Sequence, residues 1–556
     1  MVASKDYFIK GLFTVLSSLL LGHASAQQKG SKDIGEGEEE ISVVKPYHPT
    51  LSDAVKLSVL PEKDTATTQL PRLSYTIASK KINTAIEVTP IKAMRIKDET
   101  IGKLYKNFVK LGFGNYTTPY GELFVSSLRS KEYQVGTHIR HLSSSGLIPG
   151  VGYPGFSQNT GEVYGKRLVK TEWLEGSLEY NRDVVHRYGF NTTDTTLGRD
   201  QIRQRYNYAG GSIRLSGNLT DSTKVRHEAG LSYYNYGDLY SAREDRLIVF
   251  GDVAKRFSFG DMHVNTRIDY TNNKQLLVSS LDRTYIHITP SIIRRVDKWK
   301  LSAGLHTVTT AGVESGFHLY PQAAAEVNIV ENILDAYSSF SGNLEKNTFR
   351  ELSQENPFLS SSLSYKPSSV KIDFTAGLKG TLSAYTDFRA FVNYREVENM
   401  LLFVPDSAIR PMNTFAVLYD NVKVLNLHGE LGHQYNEKWR LLLKADYNSY
   451  SPTKEQYAWY KPAFVATLGT TYNMGNKIYL KADVFASSSR YSKIYGPGAA
   501  KKLDGFVDAN LGLDYRYSRI FSLFFNFNNI AAVRYYKWDN YPSQRFNLLA
   551  GLSYSF

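Results

Sequence analysis

The sequence ends with Phe546-Asn-Leu-Leu-Ala-Gly-Leu-Ser-Tyr-Ser-Phe556. Apolar or aromatic residues occupy six alternate positions of this stretch, namely Phe546, Leu548, Ala550, Leu552, Tyr554 and Phe556. Most of the residues between them are small or polar, and a period of two places the two sets on opposite faces of a β-strand. The stretch therefore predicts a strand whose apolar face ends on an aromatic residue. Such a strand suits either the edge of a sandwich or the closing position of a barrel.

Strands of the same kind recur through residues 103–556. Segments 225–233, 439–447 and 507–515 each carry an apolar or aromatic residue at every second position, with mostly charged, amide or glycine residues between. In a membrane barrel the apolar face meets lipid and the polar face lines a watery lumen. A soluble barrel of this many strands would need a far more apolar interior. The pattern therefore predicts an all-β protein, a transmembrane antiparallel β-barrel.

Short and long connections alternate along the same region. Ten short turns, among them 297–298 and 436–437, are separated by eleven longer links, among them 143–160 and 345–369. This asymmetry is typical of periplasmic turns and extracellular loops. Twenty-one connections join about 22 strands, and an even number leaves both ends of the barrel in the periplasm.

Composition agrees with this class of protein. The 556 residues include 40 Tyr and 28 Phe, which favour strands and membrane interfaces. There is no Cys, so neither disulfides nor Cys-ligated metals hold the fold. The formal net charge is +13, but the chain has no basic helix or Lys/Arg run of the kind that binds nucleic acid. Lumen walls and contacts to anionic lipid head groups account for such an excess.

The first 26 residues have the pattern of a signal peptide. Lys5 and Lys10 form a basic start, residues 11–22 are mostly apolar, and small residues precede the expected cleavage point. The residues that define this cleavage site are Ala24, Ala26 and Gln27. We therefore expect the mature chain to be exported.

Residues 27–102 show no apolar period longer than a few positions. Residues 30–40 are polar and acidic, and five prolines punctuate the remainder of the segment. We expect a short extended periplasmic segment or small plug before the barrel. A β-branched patch within it, around Val43 and Val44, has the composition of a strand donated to a periplasmic partner, and an ordinary linker is the alternative.

The barrel region resembles a TonB-dependent receptor. The residues that carry the resemblance are Phe525-Asn-Phe-Asn-Asn-Ile530, Tyr535-Tyr536, Tyr541, the loop Asn343 to Asn356 and the final Gly551-Leu-Ser-Tyr-Ser-Phe556. The resemblance implies a barrel of 22 strands in the outer membrane. The chain departs from the family at its amino terminus, where the glycine-rich motifs of the receptor plug are not recognisable.

The resemblance also implies roles for two short segments. The closing strand of such a barrel is read by the barrel assembly machinery, which assigns an assembly signal to Phe546, Leu548, Leu552, Tyr554 and Phe556. Receptors of this family keep a TonB-contact segment near the amino terminus. By position alone, that segment corresponds here to Ile41, Ser42, Val43, Val44 and Lys45.

Two functions remain open from the sequence. A 22-stranded barrel is too wide for wall side chains to fill, so the extension, the inward-folded links 143–160 and 345–369, or a partner chain must close it. One function is transport of a solute across the outer membrane. The other is that of a non-transporting structural subunit of an outer-membrane protein complex. The expected partners are outer-membrane lipid, the assembly machinery, TonB and other outer-membrane or periplasmic proteins, without nucleic acid.

Motifs of enzymes, cofactors and metals are weak. Residues 150–155 match G-x-G-x-x-G, but Pro154 and the absence of a preceding buried strand indicate a loop. His138 and His141 are three apart, which turns them to opposite faces of a strand. We therefore expect no catalytic site, no cofactor and no metal site.

Overall fold

The computed structural model describes residues 105–127, 130–193, 197–217, 225–275, 278–407, 413–494 and 500–556. Their main element is one antiparallel sheet of 22 strands. In chain order the strands are β1 Asn107–Gly114, β2 Thr118–Ser126, β3 Tyr133–Ser144, β4 Phe156–Val169, β5 Glu172–His186, β6 Arg203–Gly217, β7 Arg226–Gly237, β8 Arg243–Phe257, β9 Gly260–Gln275, β10 Val278–Val296, β11 Trp299–Gly312, β12 Gly316–Val330, β13 Leu334–Glu345, β14 Ser368–Ser383, β15 Thr386–Pro405, β16 Phe415–Asn436, β17 Trp439–Pro452, β18 Phe464–Met474, β19 Ile478–Ser487, β20 Phe506–Arg516, β21 Phe521–Asn528 and β22 Asn547–Ser555.

The sheet closes on itself, because β1 pairs with both β2 and β22. The closing ladder runs from Phe108 opposite Ser555 to Gly114 opposite Leu549. At its end Asn107 and Phe556 exchange two backbone hydrogen bonds of 3.0 Å. The predicted closing strand is confirmed, and a closed sheet leaves no unpaired edge.

In the described parts of the long connections there are two short helices and two small hairpins. The helices are α1 Arg199–Ile202 and α2 Phe349–Glu355. One hairpin pairs Arg490–Lys493 with Ala500–Leu503, and the other pairs Tyr536–Trp538 with Tyr541–Pro542. Among the described residues, no helix is long and apolar enough to cross a membrane.

The connections follow the predicted alternation. The short turns include Asp297 and Lys298 between β10 and β11, and the long loops include residues 346–367 between β13 and β14. Because all strand pairs are antiparallel, the short turns collect at one end of the barrel and the long loops at the other. One of the ten short turns predicted from the sequence, at residues 220–222, lies outside the described residues.

The apolar face of the wall points outward. In β5 the side chains of Leu174, Leu178 and Tyr180 are 42%, 69% and 50% exposed. The alternate residues point into the lumen, where the Ser177 hydroxyl lies 2.9 Å from that of Ser212 on β6. Exposure of such large apolar side chains to water would be unfavourable. Contact with lipid explains why they lie on the outer surface.

Aromatic residues near the strand ends lie on the same outward face of the wall. The residues of this kind include Tyr233, Trp299, Tyr447 and Tyr517, which are 46%, 48%, 49% and 73% exposed. Their position on the outer surface is that of an aromatic girdle.

The inner wall consists of charges that neutralise one another. Lys444 lies 3.6 Å from Glu430, and the Asp446 carboxylate contacts His428 at 2.8 Å. Oppositely charged side chains on neighbouring strands stabilise a sheet by cross-strand pairing. The predicted lumen charges of β17 are therefore parts of a polar wall.

Replacing Phe556 with Lys is expected to lower the amount of folded barrel in cell envelopes. Phe556 is 52% exposed on the outer face, and a charge there must enter the membrane boundary. Heat-modifiable mobility on gels measures the folded fraction. Ser555→Lys, one position earlier and on the lumen side, is the control, and an equal folded fraction in both variants would contradict the proposed assembly role.

Candidate functional site: a packed layer across the mouth of the barrel

The connection between β13 and β14, residues 346–367 and here called loop 7, folds into the lumen. Its helix α2 begins at Thr348, whose hydroxyl accepts a hydrogen bond from the Glu351 amide at 3.2 Å. The Glu351 carboxylate in turn accepts from the Thr348 amide at 3.1 Å. This reciprocal capping box satisfies two amides that the helix itself cannot pair.

Helix α2 packs against inward-facing tyrosines of the wall. The Phe349 ring lies 6.2 Å from that of Tyr206 on β6 and 5.7 Å from that of Tyr236 on β7. The Tyr236 hydroxyl is 2.6 Å from the Ser353 hydroxyl. Phe349 is 4% exposed, so the contact removes nearly all of a phenyl ring from water, which is worth about 2 kcal/mol.

A buried carboxylate on β8 holds both ends of loop 7. Glu244 is fully buried and accepts hydrogen bonds from the Phe349 amide at 2.7 Å and from the Tyr365 hydroxyl at 3.2 Å. A third bond comes from Tyr234 of the wall at 2.7 Å. Burial raises the pKa of Tyr365 well above its usual value, so this hydroxyl remains a donor.

A second anchor lies beside the first. Asp269 of β9 is fully buried and accepts two hydrogen bonds from the Arg246 guanidinium, at 2.9 and 2.7 Å. The same carboxylate contacts the ammonium of Lys346, the first residue of loop 7. Burial lowers the pKa of Lys346 to about 8, helped by Arg267 and Arg246 and opposed by Asp269. Loop 7 thus begins with a buried ammonium group, and Asp269 offsets only part of the cost of burying this charge.

The far side of loop 7 reaches the start of β16. Leu359 is fully buried and forms a parallel bridge with Phe415. The Ser360 amide donates to the Phe415 carbonyl at 2.9 Å, and Arg187 of the loop after β5 donates to the Leu359 carbonyl at 2.9 Å. These contacts fix the loop to parts of the wall that lie far from β8 and β9 around the ring.

An aromatic cluster fills the space between the longest loops. Phe358 of loop 7 stacks on Tyr541 with the ring centres 3.7 Å apart. Trp538 lies 5.4 Å from Phe415 and 5.0 Å from Tyr460. Aromatic pairs at such distances each add about 0.5–1.5 kcal/mol to the effect of burial.

Together these contacts form a layer that spans the lumen at its loop end. Loop 7 is bound to β6–β10 on one arc of the closed ring and to β15 and β16 on another, and it touches the loops after β5 and β21. A segment tied to such separated arcs has to cross the lumen. We call this arrangement the mouth layer, and it consists of loop 7 and the buried side chains that contact it.

The sequence predicts three groups of site residues, of which only the group at the end of the chain can be located in the structure. The cleavage residues Ala24, Ala26 and Gln27 and the segment of Ile41, Ser42, Val43, Val44 and Lys45 lie outside the described residues. Phe546, Leu548, Leu552, Tyr554 and Phe556 lie on one face of the closing strand region, and four of these side chains are at least 37% exposed on the outer surface. None of these five residues of the closing strand region belongs to the mouth layer.

The sequence predicts residues 345–369 as a link able to close the barrel, but it does not predict the helix within this link. The local signal was present, since Thr348-Phe-Arg-Glu351 has the spacing of a capping box. The anchors Glu244 and Asp269 carry no such signal, because each is one of many alternating polar residues along a strand.

Comparison with known proteins identifies the fold. No family model and no curated protein matches the chain. Among solved structures, it is similar to the ferric-catecholate import receptor Fiu of E. coli K12, with 12% identity, TM-score 0.61 and 82% of each chain covered. The pyoverdine outer membrane receptor FpvA of Pseudomonas aeruginosa PAO1 has 11% identity and TM-score 0.63, over 81% of this chain and 78% of that one.

A third structure, the copper transporter OprC, has 11% identity and TM-score 0.61, over 81% of this chain and 80% of that one. At such identities the comparison concerns the fold alone. These three neighbours are two receptors and a transporter, and each match covers 81% or 82% of this chain. The predicted likeness to the barrel of TonB-dependent receptors is confirmed at the level of the fold.

Proposed function

We propose that the protein mediates transport of a solute across the outer membrane, through the lumen of its barrel. The observation that carries this proposal is a wide closed barrel whose mouth is spanned by loop 7 and the side chains packed against it. A lumen lined by paired charges offers a polar path, and movement of loop 7 would open it. The similar structures named above, an import receptor, an outer membrane receptor and a transporter, support the same function.

The proposal includes the organisation of the chain. Residues 1–26 act as a signal peptide, residues 27–102 form a periplasmic extension or small plug, and residues 103–556 form the barrel. The mature protein contacts outer-membrane lipid through its apolar face, and the assembly machinery reads its closing strand. No catalytic reaction, cofactor or nucleic-acid partner is assigned to it.

Energy for such transport would come through the segment Ile41, Ser42, Val43, Val44 and Lys45. If this segment contacts TonB, affinity purification of the mature protein recovers TonB, and deletion of the segment abolishes the recovery. Deletion of five residues from the acidic stretch 30–40 is the matched control and should retain TonB. Equal recovery from all three proteins would contradict the assignment.

A structural role in an envelope complex is the second function, and one observation favours it. The mouth layer is tightly packed and anchored by buried charges. Such a layer is expected where a rigid surface binds other proteins. In that case the same purification recovers a stable set of envelope proteins whether or not residues 41–45 are present. The two functions are thus separated by one experiment.

A further inference from the structure

A cavity of about 600 Å³ lies on the outside of the barrel at its loop end. Residues of β2–β6 form its floor, and the loops after β3 and β5 form its sides. The residues that define its chemistry are Tyr153, Asn159, Arg182, His186, Arg199 and Arg203. It is separate from the mouth layer, which lies inside the lumen.

The side chains of the floor belong to the lipid-facing set of the wall. Strand β5 pairs with both neighbours without a register shift, so its even-numbered residues share one face. Leu178 and Tyr180 on that face are the most exposed apolar residues of the strand. Arg182 follows directly after them toward the loops. The cavity therefore begins where the apolar band ends.

The lining of this cavity carries a net positive charge that its one acidic residue does not balance. Arg182, Arg199 and Arg203 each line the cavity, and Asp200 is the one acidic residue that does. Within the described part of the chain, none of the three guanidiniums has a carboxylate within 4.0 Å. By contrast, Arg243, at the same end of the neighbouring outer wall, is paired with Asp245 at 3.0 Å.

One of the three guanidiniums stacks on an aromatic ring of the cavity lining. Arg199 stacks over the Tyr153 ring at 4.1 Å, and that ring packs edge-on against His186 at 4.8 Å. His186 is the cross-strand neighbour of Arg203. Three guanidiniums that line one cavity, none of them paired with a carboxylate among the described residues, match the several oxygens of a phosphate group.

We propose that this cavity binds the phosphorylated headgroup of a lipid in the leaflet on the loop side of the membrane. The acyl chains of such a lipid would lie along the apolar band below, against Leu178 and Tyr180. A soluble phosphate has no acyl chains, so it would gain no binding energy from the apolar band beside the cavity. The inference depends on the outward orientation of the wall and not on what the lumen transports.

The test is native mass spectrometry of the full mature protein with diphosphorylated lipid A or its dephosphorylated form. The wild type is expected to retain the phosphorylated lipid preferentially, and R182Q/R203Q is expected to lower the bound fraction at limiting lipid by about tenfold. R243Q, which removes a guanidinium already paired with a carboxylate, should behave as the wild type. Heat-modifiable mobility shows that each variant is folded.

Four results would overturn the proposal. The first three are equal retention of both lipids by the wild type, an unchanged bound fraction in folded R182Q/R203Q, and an equal loss in R243Q. The fourth is displacement of the lipid by a soluble phosphate. Inorganic phosphate and glucosamine 1-phosphate serve as soluble competitors. If either displaces the lipid at concentrations near that of the lipid itself, the site takes a soluble phosphate and the lipid assignment is wrong.

Discussion

Replacing loop 7 with a short hairpin turn is expected to raise the single-channel conductance of the purified barrel in planar bilayers by about tenfold or more. Barrels of 16–18 strands already leave an aqueous channel, and a wider one conducts unless something fills it. The replacement is structurally simple, because Glu345 and Ser368 are cross-strand neighbours at the loop's two ends. A turn of about two to four residues joins such a pair.

The matched control shortens the loop between β3 and β4 by removing residues 147–151, none of which is among the buried side chains of the mouth layer. Its conductance should equal that of the parent protein. If the loop 7 replacement conducts no more than this control while folding normally, the mouth layer is not the barrier. The lumen would then be closed by another part of the chain.

Asp269→Ala is expected to release loop 7 without unfolding the barrel. The change leaves the Arg246 guanidinium and the Lys346 ammonium without their shared carboxylate in a buried site. Removing one partner of a buried ion pair costs roughly 3–5 kcal/mol. The population of undocked loop should therefore rise by about 100-fold or more, since each 1.4 kcal/mol is a factor of ten.

The measurement uses the absence of cysteine from the natural chain. Leu359→Cys places a single thiol at a fully buried position of loop 7, and its rate of labelling by a maleimide reports how often the loop undocks. Lys346→Met is the matched variant, because burial already disfavours that charge and Arg246 still neutralises Asp269. Its labelling rate should stay near the parent's or fall. Equal rates in both variants would contradict the anchoring role of Asp269.

The sequence predicts the wall of this protein far better than its mouth. In residues 439–447 the alternation of apolar and polar side chains is local, so the strand and its outward face can be read directly, and β17 confirms them. Turn positions such as Asp297-Lys298 are equally local. Closure of the barrel follows from the number of strands and the apolar final stretch.

The mouth layer depends on contacts between distant parts of the chain. Phe358 meets Tyr541, and Leu359 meets Phe415, although no periodicity links their positions. Only the capping box of Thr348 and Glu351 is visible as a short motif. The basic cavity on the outer wall has the same origin, since Arg182 and Arg199 come from different elements and line one cavity only in the folded barrel.

The orientation of the wall is tested most directly by fluorescence quenching in bilayers of lipids that carry a quencher on the acyl chain. Single cysteines at Ser177, Leu178, Glu179 and Tyr180 would each be labelled with a small fluorophore. We predict strong quenching by lipid at positions 178 and 180 and weak quenching at positions 177 and 179. Equal quenching at all four positions, or the reverse order, would show that the apolar face does not meet lipid. The conclusion that this barrel lies in a membrane would then be wrong.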